Sequence, residues 1–280
     1  MTKIGCAVGV LRTGPAAGKL GYLPALGIRC IEVQFGTDAE DAENGPFIDQ
    51  TRAALSAAGL EVWSAHTPFG PEVDISSSNE RIRERGLAAA LRTARGCLDL
   101  GGRVIVLHCG EHHREENSRR EALRRAPEYV ARIVDACASI GVQVALENLP
   151  PHYVTCTAEE LLSVAERFPR ENVGVCLDTG HAHIGGNVPE LVRAVADRII
   201  TTHIHDNDRS DDQHYVPGSG TIDWKSVGAE LGRSPYFATP TGGQNGRGPL
   251  LFEVSGPGTH AEAIGRLPVA GAMIAQFMAV

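Results

Sequence analysis

Short runs of aliphatic and β-branched residues recur along the chain, each halting on Asp, Glu or His and each followed by a segment with helical spacing of its apolar positions. The clearest example spans Gly174 to His214. Gly174-Val175-Cys176-Leu177 stops at Asp178, and a second apolar run stops at His203, with one helical segment from Val188 to Asp197 between them. Strand, helix, strand in that order is a parallel crossover, because parallel neighbours cannot be joined by a tight hairpin. If the unit repeats, the polar strand ends gather on one face.

The pattern does repeat. Strands are expected at Ile4 to Val10, Ile28 to Gln34, Leu60 to His66, Gly102 to His108, Val142 to Glu147, the two already described, and Leu250 to Glu253. Helices are expected near Pro15 to Leu26, Phe47 to Ala58, Asn79 to Asp99 and Arg119 to Ile140, the last kinked at Pro127. Others should start after Thr157 and Asp223, both good N-cap residues, and run from Gly258 to Val280. Ser234 to Pro249, rich in Gly, reads as a loop and a candidate lid. Eight strands alternating with helices, without a composition shift, predict one (β/α)8 TIM barrel over residues 1 to 280. An open doubly wound sheet is the alternative, but the first strand is not followed by Gly-x-Gly-x-x-Gly or a P-loop.

Composition narrows the function. A chain of 280 residues suits one barrel of about 250 residues. The formal net charge of -8 and the lack of Lys/Arg clusters argue against nucleic acid as a partner. The seven cysteines form no Cys-x-x-Cys and lie mostly in apolar contexts, which points to reduced thiols and a cytoplasmic location. No leader-like segment opens the chain and no run approaches about 18 apolar residues, so no membrane association is expected. A homo-oligomer is compatible with the sequence.

Six successive strands, the third to the eighth, end on groups able to bind metal: His66, His108, Glu147, Asp178, His203 and Glu253. Active sites of this fold gather at those strand ends. Carboxylates with imidazole suit a divalent ion such as Mn, Mg, Co or Zn. Glu32, inside the second strand, is a secondary candidate for substrate contact.

At these residues the chain resembles the xylose-isomerase-like TIM-barrel superfamily, which holds sugar epimerases of the D-tagatose 3-epimerase kind alongside endonuclease IV. The resemblance runs from His66 onward, through Ser64-Ala65-His66-Thr67-Pro68-Phe69, Leu107-His108-Cys109-Gly110, Leu146-Glu147-Asn148, Leu177-Asp178-Thr179-Gly180-His181, His203-Ile204-His205-Asp206-Asn207, Asp212-Gln213-His214 and Phe252-Glu253-Val254. For an epimerase it implies one metal on Glu147, Asp178, His203 and Glu253, with the two Glu also exchanging the substrate proton, and His181 and Arg209 on substrate oxygens. For the nuclease it implies further ligands at His66 and His108 and a third site at His181, Asp212 and His214. The stretch after Gln34, Phe35-Gly36-Thr37-Asp38-Ala39-Glu40-Asp41, is acidic where a DNA-facing loop should be basic. The expected function is therefore metal-dependent isomerisation or epimerisation of a sugar, keto-sugar or related polyol. Phosphodiester hydrolysis on a multi-metal cluster is the alternative, and a non-catalytic sugar-binding barrel the third. Asp212, His214 and His181 divide the first two readings, as a further metal site or as hydrogen-bonded groups beside the substrate.

Overall fold

The structure, a computed structural model, describes residues 2–10, 20–36, 45–238, 248–255 and 260–279. Its strands are β1 (Ile4–Val10), β2 (Cys30–Gln34), β3 (Glu61–His66), β4 (Val104–Leu107), β5 (Gln143–Glu147), β6 (Val173–Asp178), β7 (Ile199–His203) and β8 (Leu250–Phe252). They pair in parallel in the order β7-β6-β5-β4-β3-β2-β1-β8. Ile204 bridges Phe252 in parallel, its N–H donating to the Leu251 carbonyl at 2.9 Å, so the last strand meets the first end of the sheet. The fold is a single (β/α)8 TIM barrel.

Helices cover the outside: α1 (Gly45–Ala58), α2 (Glu80–Asp99), α3 (Glu116–Ser139), α4 (Ala158–Ala165), α5 (Thr179–Gly185), α6 (Val188–Val195), α7 (Trp224–Arg233), α8 (Pro235–Ala238), α9 (His260–Gly265) and α10 (Leu267–Met278). Among the described residues, no helix is long and apolar enough to cross a membrane. Most of the apolar core lies between helices and strands, where the outward side chains of the barrel meet the helical stripes. A separate small cluster of Val104, Val106, Ala145 and Cys176 fills the barrel interior. Strand side chains alternate faces, so the residues two further along, His108, Glu147 and Asp178, continue on the inward side at the C-terminal mouth.

Several local expectations change. Of the helix foreseen from Pro15 to Leu26, residues 15–19 lie outside the described residues, Leu20 is helical and Leu23–Leu26 form a 3₁₀ turn. The segment foreseen as one loop from Ser234 opens with α8, while 239–247, where a lid was considered, lie outside the described residues. Helix α3 runs continuously past Pro127, as one element. The C-terminal helix is instead two, broken at Arg266, where Pro268 takes up the first turn of α10 and cannot continue the preceding helix. One helical unit was expected between β6 and β7, and the structure has two, α5 and α6.

Candidate metal and substrate site

Strand register assembles the centre of the site. The β6–β7 pairing sets Asp178 opposite His203, and the β5–β6 pairing sets Glu147 opposite Cys176, one inward layer below Asp178. Glu253 follows β8 directly. Ligand atoms of Glu147, Asp178, His203 and Glu253 all lie within 4.8 Å of one another. His203 Nδ1 is 3.1 Å from Glu147 Oε1 and 3.0 Å from Glu253 Oε2. Three carboxylates around one imbedded imidazole form a donor set that neutralises itself only with a cation, and the set fits a hard to borderline divalent ion.

The outer face of His203 is equally determined. Its Nε2 donates to Glu32 Oε1 at 2.9 Å, and the Ser64 hydroxyl donates to the second oxygen of Glu32 at 2.6 Å. Glu32 is 2% exposed, so it cannot shed this charge into water. Burial resists its ionisation, yet His203 beside it holds the carboxyl below its ordinary range. A carboxylate fixing the far nitrogen of a histidine points the near nitrogen at a metal. The structure thus places Glu32 behind His203, although it also borders a side cavity of about 260 Å³.

Three further histidines share this polarity. The Nδ1 atoms of His66, His181 and His214 face the carbonyls of Thr67, Asn148 and Glu253 at 2.7, 3.0 and 2.9 Å. Carbonyls only accept, so each Nδ1 donates, and the opposite Nε2 turns toward a carboxylate. His66 Nε2 lies 3.2 Å from Glu147 Oε2, which is also 3.2 Å from His108 Nε2. His181 and His214 Nε2 lie 3.2 and 2.9 Å from Asp212 Oδ2. Against the opposing effect of burial, Asp212 helps raise His214 to about 9. His181 and His203 are likewise pushed well above the ordinary histidine range by neighbouring acids that outweigh burial. Glu147, though desolvated, is held well below the carboxylate range by His203 and His108.

The loop after β7 is built to carry Asp212 and His214. Asp206, fully buried, accepts from the backbone N–H of Asn207, Gly218 and Ile222 and from the Trp224 indole. That staple ties the loop's two ends together. His152, Thr155, Arg209 and His214, the non-glycine residues with positive φ among the described residues, all sit in the loops after β5 and β7. Such backbone strain persists only where its surroundings enforce it. Arg209 is not brought to the centre: its guanidinium donates to the Gly186 carbonyl at 3.0 Å, and it does not line the cavity described below.

His205 is not among the residues the strand-end pattern picks out, yet it belongs to the site. Its Nε2 lies 3.1 and 3.0 Å from the two Asp178 oxygens, and its ring stacks on His214 with centroids 4.0 Å apart and planes 6° apart. His205 thus steadies Asp178, and a ligand atom of its ring also lies within 4.8 Å of ligand atoms of His214 and Glu253. The signal was the spacing, since His205 stands two residues beyond His203 on the same side of an extended segment. Asp178 also caps α5, accepting from the His181 N–H at 2.6 Å, and thereby carries His181 inward. Gly180 on that turn lies flat against the His205 imidazole, which a Cβ would overlap. Gly180→Ala is therefore expected to destabilise the fold by about 1–3 kcal/mol through overpacking, read as a lowered Tm.

The site opens into a cavity of about 650 Å³ lined by His66, His108, Glu147, His181, Asp212, His214 and Glu253 on its floor. Its outer wall includes Phe69, Pro150, Pro151, Tyr153 and Ile184. Residues 21–266 match the xylose isomerase-like TIM barrel family, and the chain belongs to it. An uncharacterized Methanocaldococcus jannaschii protein, MJ1311, is 30% identical over 177 residues, 61% of this chain and 60% of that relative. A ketose 3-epimerase of Arthrobacter globiformis is 25% identical over 74% of this chain and 68% of its own length. A probable endonuclease 4 of Methanoculleus marisnigri is 30% identical over 48% of each chain. In fold, the chain resembles a D-tagatose 3-epimerase-like protein with a TM-score of 0.77, at 21% identity and 99% coverage of both chains.

Proposed function

We propose that the protein is a divalent-metal-dependent isomerase or epimerase acting on a sugar, keto-sugar or related polyol. The observation that carries this reading is the set Glu147, Asp178, His203 and Glu253, with donor atoms within 4.8 Å, of which Glu147 and Glu253 line a cavity large enough for a sugar. The ketose 3-epimerase relative supports it. A divalent ion bound there would polarise a substrate carbonyl and its adjacent hydroxyl, making the neighbouring C–H acidic.

The chain's own residues divide the remaining work. Glu147 is fixed by His66 and His108 through one oxygen and presents the other toward the centre. Glu253, with 31% of its side chain exposed, reaches the cavity from β8. Two carboxyl groups from different strands give the reaction a carboxylate that takes a proton and a carboxylic acid that returns one. His181 and Asp212, on the same floor, are placed to bind substrate hydroxyls.

The test is exchange of substrate C–H with deuterated water across a panel of ketoses and polyols, with Mn²⁺ restored to metal-stripped protein. Exchange should appear only with the metal, and full exchange in rigorously stripped protein would refute the reading. Phosphodiester hydrolysis is the second reading, favoured by one specific arrangement: His66 and His108 flank Glu147 Oε2 while His181 and His214 flank Asp212 Oδ2, leaving room for further ions beside the first. Three anomalous-scattering peaks in metal-replete crystals, together with nicking of DNA at an abasic site, would establish it over the first.

A further inference from the structure

The outer wall of the cavity differs in chemistry from its floor. Phe69 is 51% exposed, one of few large apolar side chains so placed among the described residues, although the loop carrying it is well tied down. Its ring stacks on His108, with centroids 4.7 Å apart and planes 24° apart, and meets His66 edge-on at 5.4 Å. One face of Phe69 is therefore backed by the candidate metal-binding histidines. Leu149, Pro150, Pro151, Tyr153 and Ile184 line the same cavity.

This wall is preformed. His112 bridges Tyr153 in antiparallel fashion and the His113 N–H donates to the His152 carbonyl at 2.9 Å, binding the loop after β4 to the loop after β5. Glu111 accepts from the Gly70 N–H at 2.7 Å, which fastens the Phe69 loop to the same assembly. A free monosaccharide can lay only the small C–H face of its ring against such a wall. An apolar or aromatic substituent gains its full burial there, with stacking on Phe69 in addition. Glu111, Asp211 and Asp212 border the same space and oppose an anionic substituent such as phosphate.

We propose that the Phe69–Tyr153 wall is a subsite for an uncharged apolar or aromatic substituent, so that the substrate is a sugar carrying such a group, a glycoside that keeps a ketone on its ring, in place of a free or phosphorylated sugar. The inference rests on the sugar reading of the floor. Its experiment reads binding alone, so it stays separable from turnover.

Calorimetric titration of the Mn²⁺-loaded protein would compare 4-nitrophenyl glycosides of glucose, galactose and xylose with each parent sugar and with glucose 6-phosphate. At least one aryl glycoside should bind at least about tenfold more tightly than its parent, and the phosphate more weakly than glucose. In Phe69→Ala the aryl-to-parent ratio should fall to within about twofold, while Phe69→Trp should keep it. Binding of the parent sugar in each variant reports that the floor is still folded. No aryl glycoside surpassing its parent, a ratio that survives Phe69→Ala, or a preference for the phosphate would overturn the proposal. A Phe69-dependent aryl preference beside no metal-dependent C–H exchange on any ketose would leave the subsite standing and remove the isomerase reading.

Discussion

Glu253→Gln and Glu147→Gln are each expected to lower substrate C–H exchange by about 10²–10⁴-fold, the usual contribution of a positioned general base. The two substitutions should fail differently. Glu147 is 1% exposed and is shared by His66, His108 and His203, so its loss disturbs three imidazoles together with a ligand. Glu253 is bound more loosely, with 31% of its side chain exposed, and its removal leaves the His66–Glu147–His108 arrangement intact. Metal content measured in parallel separates the roles. Exchange lost with the metal retained assigns the carboxylate to proton transfer; exchange lost along with the metal assigns it to binding. Wild-type exchange in either variant would reject the pair.

How much of this was legible beforehand depends on the range of the forces involved. The barrel follows from local alternation of apolar strands and helices, which is why eight strands could be placed by eye. The strand-end positions of His108, Glu147 and Asp178 follow from the two-residue period beyond Val106, Ala145 and Cys176. Helix α5 is less legible, because Gly180 and Gly185 weaken its intrinsic preference and its start depends on capping by Asp178, a residue that also reads as a strand end. Arg209 was expected near substrate from its position in a motif. Its left-handed backbone, with φ of 73°, and the Gly186 carbonyl send its side chain elsewhere. No local pattern could have linked Glu32 to His203, since the bond joins residues 171 positions apart across the barrel.

That long-range bond leads to the second large effect. Glu32→Gln is expected to weaken Mn²⁺ binding by about 10–100-fold, as losing the carboxylate behind a ligating histidine commonly does. Glutamine preserves the size of the side chain and can still meet the Ser64 hydroxyl, but it no longer offers His203 Nε2 a charged acceptor. The imidazole then loses both basicity and the constraint that turns Nδ1 toward Glu147, Asp178 and Glu253. A direct substrate contact by Glu32, the role its strand position suggested, makes a different forecast: metal affinity measured without substrate would be unchanged and only substrate binding would suffer. Titration of Mn²⁺ into substrate-free protein therefore separates the two. Wild-type metal affinity in Glu32→Gln, with a Tm close to that of the parent, would sink the orienting role and return Glu32 to the substrate side of the cavity.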